Sequence, residues 1–197
     1  MHRAISSGMQ PTALLTMLVE DGSRSRSHGL STDILRRQAA SVGTKLVTRS
    51  TSWERYEANF LDAVRELKEE GISVGVFGDI DLEQHREWVD RVCSSIGLKA
   101  ALPLWKCARH QILQEFISSG FKAAIVSVKD GFLDRSFLGR MLDNALVEEM
   151  EEIGIDASGE EGEYHTFVSD GPLFSARVEH SAKGVRFSDG YWFLDLG

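Results

Sequence analysis

Residues Ala13 to Gly29 read ALLTMLVEDGSRSRSHG: an unbroken apolar run, then a polar segment punctuated by Gly22 and Gly29. The run Ala13 to Val19 suits a strand buried on both faces, and the segment after it suits a loop at that strand's carboxyl end. Loops in that place are where α/β proteins build their sites. Working outward, short apolar runs alternate with helical stretches almost to the end of the chain. Thr32 to Val42 predicts a helix with Ser31 or Thr32 as N-cap and Gly43 as its stop. Lys45 to Thr48 is a short strand. Trp53, Tyr56, Phe60, Val64 and Leu67 recur at helical spacing and predict an amphipathic helix that ends at Gly71. Ile72 to Phe77 is the next strand, with a loop from Gly78-Asp79. Leu82, His85, Val89, Val92 and Ile96 mark one helix face, closed by Gly97. Leu98 to Leu104 is a strand interrupted by Pro103. Ile112, Leu113, Phe116 and Ile117 mark a helix closed by Gly120, and Lys122 to Val128 is a strand. Phe137 to Ile153 reads as mostly helical, with Glu148, Glu149, Glu151 and Glu152 on a solvated face. Ala176 to His180, Val185 to Phe187 and Tyr191 to Leu196 read as antiparallel strands around Lys183-Gly184 and Asp189-Gly190 turns. The alternation predicts a doubly wound α/β fold, a parallel sheet with helices on both faces over residues 1–153. Residues 154–197 add a loop and a small antiparallel appendage.

At 197 residues the chain has room for one substantial core. A formal net charge of −8 argues against sequence-independent binding to nucleic acid or to an anionic membrane, both of which require surplus Lys and Arg. Arg24, Arg26, Arg36 and Arg37 form a local basic cluster of a size to bind one phosphate. No segment has the length of a transmembrane helix, and the N-terminus has no apolar signal core. Cys93 and Cys107 match no metal spacing, and two thiols without a secretory signal fit a cytoplasmic location.

The densest chemistry lies in GEEGEYHTFVSDGPLF, Gly159 to Phe174. Gly159 and Gly162 allow tight turns or close approach to a ligand, YHTFV is a short strand, and Asp170-Gly171-Pro172 stops it. Read alone, this is either a solvated acidic turn or a site at a strand end. It is the last of five pieces that occur in order: SRSRSHG, GDI at Gly78 to Ile80 followed by HREW at His85 to Trp88, PLW at Pro103 to Trp105, LGR at Leu138 to Arg140, and then GEEGEYHTFVSDGP. Together they resemble the diphthine–ammonia ligase family of N-type ATP pyrophosphatases, in the adenine nucleotide alpha-hydrolase superfamily. The resemblance covers nearly the whole chain.

The resemblance implies a Rossmann-like fold that binds ATP at the carboxyl ends of its strands. The implied reaction adenylates a substrate carboxylate, releases pyrophosphate and transfers ammonia to the acyl-adenylate, with Mg²⁺ beside the phosphates. The partners implied are a small-molecule or protein-borne carboxylate and ammonia, and a homo-oligomer is an open expectation. Glu160, Glu163 and His165 become candidate catalytic residues. The glutamates would hold an ammonium or cationic group; the histidine would bind a carboxylate or ferry a proton. Gly78, Asp79, His85, Arg86, Gly162 and Thr166 become candidate substrate contacts, while Thr16, Met17, His28 and Gly29 would border the nucleotide. Trp88, Trp105 and Phe174 read as core. No metal ligands are expected from the chain.

The family's SGGKDS-type pyrophosphate loop has one counterpart by position, Ser6 to Pro11 (SSGMQP). There Met9 would replace the lysine, Gln10 the aspartate and Pro11 the last serine. In the alternative register ALLTMLVEDG is the family's second strand, and MHRAISSGMQP is the exit of its first helix. The first strand, the loop and most of that helix, about 20 residues by usual element lengths, would then be missing from the chain. In that fold the first strand lies between the strands at Ala13 and Ile72. Without it these strands close the gap, accept another element or leave unpaired edges, and poor stability or association through the edge is expected. The chain as written would then be inactive, or a non-catalytic nucleotide- or metabolite-binding remnant.

Overall fold

The computed structural model describes all 197 residues. A short helix α1 (His2–Ser6) leads to strand β1 (Ala13–Leu18), helix α2 (Thr32–Ser41), β2 (Lys45–Ser50), α3 (Tyr56–Glu69), β3 (Val74–Val76), α4 (Glu83–Ser95) and β4 (Lys99–Ala101). Then come α5 (Arg109–Ser118), β5 (Lys122–Lys129), α6 (Asn144–Glu152), β6 (Tyr164–Asp170), β7 (Ala182–Ser188) and β8 (Tyr191–Leu196). Helix starts follow side-chain caps where the sequence offers them. Ser31 Oγ accepts Ile34 N (3.4 Å) at α2, and Asp143 Oδ1 accepts Leu146 N (2.9 Å) at α6.

The strands divide into two parallel pairs, β1–β2 and β3–β4, and a four-stranded sheet in the order β6-β5-β8-β7 whose ladders are all antiparallel. Parallel strands followed by an antiparallel C-terminal sheet agree with the expectation; what differs is that the parallel strands form two separate pairs and that β5 joins the antiparallel sheet. Lys122 to Lys129 is not a parallel strand but sits inside the antiparallel sheet, where six consecutive residues from Ala123 to Val128 are buried. It is buried on both faces for a reason periodicity does not carry. α5 and α6 cover one face through Leu113, Leu146, Val147 and Met150. α2 covers the other, where Ile34 and Leu35 join Val126 and Phe167. The expected boundary at 153/154 falls between β5 and β6, which pair directly.

Three local expectations also change. Trp53 precedes α3 and is 68 % exposed rather than part of its buried stripe. Leu138 to Asp143 is not helical, and the helix begins only at Asn144. Gly139, at φ 83°, turns this stretch along β5, where Gly139 N donates to Ile125 O (2.8 Å) and Ile125 N to Arg140 O (2.9 Å). Ala176 to His180 forms no strand.

Between β1 and β3 the parallel layer is open. In β1 the main-chain groups of alternate residues face β2, from Thr12 O (accepting Lys45 N, 3.2 Å) to Leu18 O (accepting Thr51 N, 3.1 Å), so Ala13, Leu15 and Met17 point theirs away. In β3, Ser73 O and Phe77 N bond to β4, so Val74 and Val76 point theirs away. Both free edges border one apolar cavity of about 390 Å³, lined by Leu14, Val76, Phe77, Phe116, Phe174 and the start of α1. This is why the apolar run at Ala13 to Thr16 is only half-buried. Ser6 to Pro11 is the exit of α1: Ser7, Gly8 and Met9 donate their N–H groups to the carbonyls of Arg3, Ile5 and Ala4, with Gly8 at φ 85°. Those donors are spent on the helix end, and the segment lies before β1, so it is not a phosphate cradle.

Candidate functional site

The carboxyl ends of the parallel strands come together. Arg26, after β1, donates to Thr51 O after β2, and its guanidinium lies 4.6 Å from the centre of the Trp53 ring. Tyr56 packs between Trp53, Phe60 and Trp88. Burial raises the Tyr56 pKa; the charge of Arg26 opposes this and that of Asp79 adds to it, which sets the loop after β3 beside the same ring.

That loop carries GDI and is tied on both sides. Asp79 Oδ1 meets His85 Nδ1 at 3.0 Å. Ile80 O accepts Lys106 N (2.6 Å), and Ile80 N donates to Glu160 Oε2 (3.4 Å). Arg86 bonds Asp90 (2.6 Å) and lies 5.5 Å from the Trp105 ring centre. Three of the five motifs, GDI with HREW, PLW and the acidic loop, therefore meet at one place. His85 is exposed at the cleft rather than buried in the stripe of α4, and Trp88 and Trp105 are half-buried.

Arg109 clamps the cleft. Its fork bonds Asp81 through Nε (2.9 Å) and Nη2 (2.6 Å), and Nη1 bonds Asp156 (2.6 Å). Asp156 in turn accepts Ser158 N (3.0 Å) and Glu160 N (3.2 Å), so it shapes the turn that presents Glu160. Burial raises the Asp156 pKa, but the bonds from Ser158 and Glu160 and the charge of Arg109 outweigh it and leave the carboxyl below its usual range. Glu160 goes the other way, raised first by burial and then by Asp79 and Asp81. The sequence reading missed Arg109, Asp81 and Asp156. One signal was present: an arginine opening a helix opposes the helix dipole and calls for carboxylate partners.

The acidic loop continues inward. Glu163 is 7 % exposed, and its Oε2 accepts Glu161 N (3.1 Å). Gly159, at φ 67°, would carry a Cβ 3.1 Å from Tyr164 O, and Gly162 O accepts the Tyr191 hydroxyl (3.1 Å). His165 then packs against His28 of the SHG segment at 4.8 Å with the rings tilted by 42°, and stacks on Tyr191 at 6.2 Å. Packing around the pair lowers both imidazole pKa values, with His165 as a second cause for His28, and His28 itself is exposed to solvent, which moderates its shift. Gly29 is required by close approach: at φ 68°, a Cβ there would lie 2.5 Å from Phe193 and 2.7 Å from Arg186.

Other candidates lie elsewhere. Strand alternation puts Thr166 on the face of Tyr164, opposite to His165. Thr16 spends its main-chain groups on β2, and Met17 O accepts Arg26 N (3.0 Å). Gly78 borders the cavity between the parallel pairs. LGR is structural, with Arg140 paired to Glu149 (2.8 Å) on α6. The four arginines read as a basic cluster do not act as one: Arg24 pairs with Asp195 (2.8 Å) and Arg37 with Asp33 (3.0 Å).

With this geometry in hand, comparison with known proteins is decisive for the family. Residues 1–100 match the diphthamide synthase N-terminal domain, and residues 108–197 match the diphthamide synthase C-terminal domain. The chain belongs to the diphthamide synthase family. Among its relatives, the diphthine–ammonia ligase of Bos taurus is 38 % identical over 123 residues, covering 60 % of this chain and 45 % of the relative. That of Homo sapiens is 37 % identical over the same coverage. The Schizosaccharomyces pombe ligase is 33 % identical over 103 residues, 51 % of this chain and 17 % of the relative. The chain thus spans less than half the length of these curated relatives. The family's two domain models meet between residues 100 and 108, where the parallel pairs give way to the antiparallel half.

The donor set fits one part of the implied chemistry. No group of three or more His, Cys, Asp or Glu side chains could hold a metal ion. No glycine-rich phosphate cradle follows a strand within these residues, because the one candidate, Ser6 to Pro11, is a helix exit. The acidic cleft and the imidazole pair suit a cationic or ammonium group and the transfer of a proton. No helix is long and apolar enough to cross a membrane.

Proposed function

We propose that this chain carries the acceptor side of an ATP-dependent amide-forming reaction, in which a carboxylate is activated and ammonia attacks it. The observation that carries the reading is the meeting of GDI, HREW, PLW and the Glu160 loop in one polar cleft, with His28 and His165 in ring contact at the other end of that loop. Asp79 and Glu160 would attract ammonium or a cationic part of the acid substrate. A neutral His165 would take up the proton released when ammonia becomes an amide. Asp156 and Arg109 would hold the loop in place. A Rossmann-like, doubly wound arrangement of the adenine nucleotide alpha-hydrolase kind is supported by the parallel pairs, their flanking helices and the family. ATP would enter at the carboxyl ends of β1 and β2, near Arg26 and Gly29, but no step is assigned to residues that grip its triphosphate. The acid is small or protein-borne.

The spent donors at Ser6 to Pro11 favour a second reading, in which these residues bind a nucleotide or metabolite without turnover. Calorimetry with AMP and ATP, together with pyrophosphate release in the presence of ammonium and a panel of carboxylic acids, separates the two. Acid-dependent pyrophosphate release that falls about 10²–10⁴-fold in His165→Asn, and also falls in Glu160→Gln, supports the ligase. Binding of AMP with no release for any acid supports the second reading.

A further inference from the structure

Arg26 differs from every other arginine of the chain. Most of them reach a carboxylate. Of those that do not, Arg36, Arg55 and Arg135 are exposed to solvent, whereas Arg26 is half-buried. Its Nη2 donates to Thr51 O, and its buried Nε has no partner. A guanidinium withdrawn from water with spare N–H donors costs free energy until an anion completes it. The surroundings leave room for one. The guanidinium lies 4.6 Å from the centre of the Trp53 ring, which is itself 68 % exposed at the carboxyl ends of β1 and β2. Tyr56 stacks on Trp53 at 5.7 Å, and its ring feels the charges of Arg26 and Asp79 without a hydrogen bond to either. The cleft thus has a basic end at Arg26 and an acidic end at Asp79 and Glu160.

We propose that Arg26 and the Tyr56 hydroxyl seat the carboxylate of the acid substrate, with Trp53 as the wall beside it. A carboxylate suits this end better than a phosphate. Its two oxygens lie in one plane, as the guanidinium donors do, so paired N–H bonds can form. It also brings a single negative charge toward Asp79 and Glu160, where a phosphate monoester brings about two. The bond to Thr51 O and the indole ring hold the guanidinium in one orientation, so little side-chain freedom is lost when the acid arrives. Seated there, the acid lies at the strand ends and turns any cationic part toward Asp79 and Glu160. What the seat is used for rests on the acceptor-side reading above; the seat itself rests on the unpaired guanidinium.

Heteronuclear NMR of the full chain at fixed ionic strength tests the seat, with propionate, γ-aminobutyrate, propylammonium and AMP as probes. Propionate and γ-aminobutyrate are expected to shift the Arg26 Nε–H and Trp53 indole N–H signals to saturation; propylammonium is not. This wild-type reading stands even should a variant fold poorly. Arg26→Gln is expected to weaken propionate binding at least about tenfold, and Tyr56→Phe about threefold, with circular dichroism unchanged. Arg26→Lys should regain part of the loss, because an ammonium keeps the charge but not the fork. AMP affinity should hold in Arg26→Gln. A wild-type chain in which propionate moves neither signal overturns the proposal, as does propionate binding that survives Arg26→Gln. AMP affinity that falls as far as propionate affinity assigns Arg26 to phosphate and overturns it too. These readings need no turnover. Pyrophosphate release absent for every acid would sink the ligase and leave the seat standing, whereas acid-dependent release unchanged in Arg26→Gln would sink the seat alone.

Discussion

Single residues in this chain are legible in proportion to how local their partners are. Ser31 and Asp143 cap helices as their neighbours predict, since a cap is satisfied within three residues. Arg109 is different, because its carboxylates lie on Asp81 and Asp156, far away in sequence. Its side chain is only 27 % exposed, so Arg109→Ala is expected to cost about 1–3 kcal/mol in urea denaturation. Arg109→Lys should recover part of this, since an ammonium cannot serve both carboxylates as the fork does. The imidazole pair makes stability depend on pH. Both folded pKa values lie below the ordinary 6.5, so the unfolded chain binds more protons as the solution is acidified. Their contribution is complete above 6.5 and is lost as pH falls below it, with His165, the less exposed of the two, carrying most of the effect. Glu160, raised above 4.5, acts in the opposite sense over the lower part of that window. Urea midpoints measured from pH 7 to 4.5 should therefore fall, and His165→Asn should flatten the slope.

At the scale of elements, β5 shows what a strand pattern can and cannot say. KAAIVSV announces a buried strand, but not whether its neighbours run parallel or antiparallel, because both surroundings demand the same apolar residues. The ladder with β6 and β8 decides it. Ser127 is the one polar side chain in that buried run. It is fully buried with an unpartnered Oγ, between His165 and Phe193 in the register. A buried hydroxyl without a bond costs free energy, so Ser127→Ala is expected to raise stability by about 1 kcal/mol, read as a higher urea midpoint at constant slope. A lower midpoint would mean that Ser127 does find a bond. The same reasoning explains why Phe137 to Asp143 reads as helix: its apolar residues are there to line β5, and spacing does not distinguish that from a helix face.

Across the whole molecule the halves are unequally built. The antiparallel half has a continuous core under α5 and α6, whereas the parallel pairs meet at an apolar cavity with unpaired main-chain edges. Unfolding is expected to begin in residues 1–104 and to spread later to the antiparallel sheet. Amide exchange followed by NMR should find Leu15, Val74 and Val76 exchanging well ahead of Ala124, Val126 and Val128. Uniform protection across all six, with one cooperative melt at high temperature, would contradict it.

The sequence by itself determined most of the helices and strands, the polar loops at the strand ends and, through five motifs in order, the family. Each of these rests on contacts within a few residues or on recognisable local chemistry. Only the tertiary structure decided that β5 lies in an antiparallel sheet, that Arg109 clamps Asp81 to Asp156, that His28 packs against His165, and that Thr166 faces away from them. Those facts depend on which distant segments share a face. Hydrophobic periodicity says that a face is buried, but it does not name the partner that buries it.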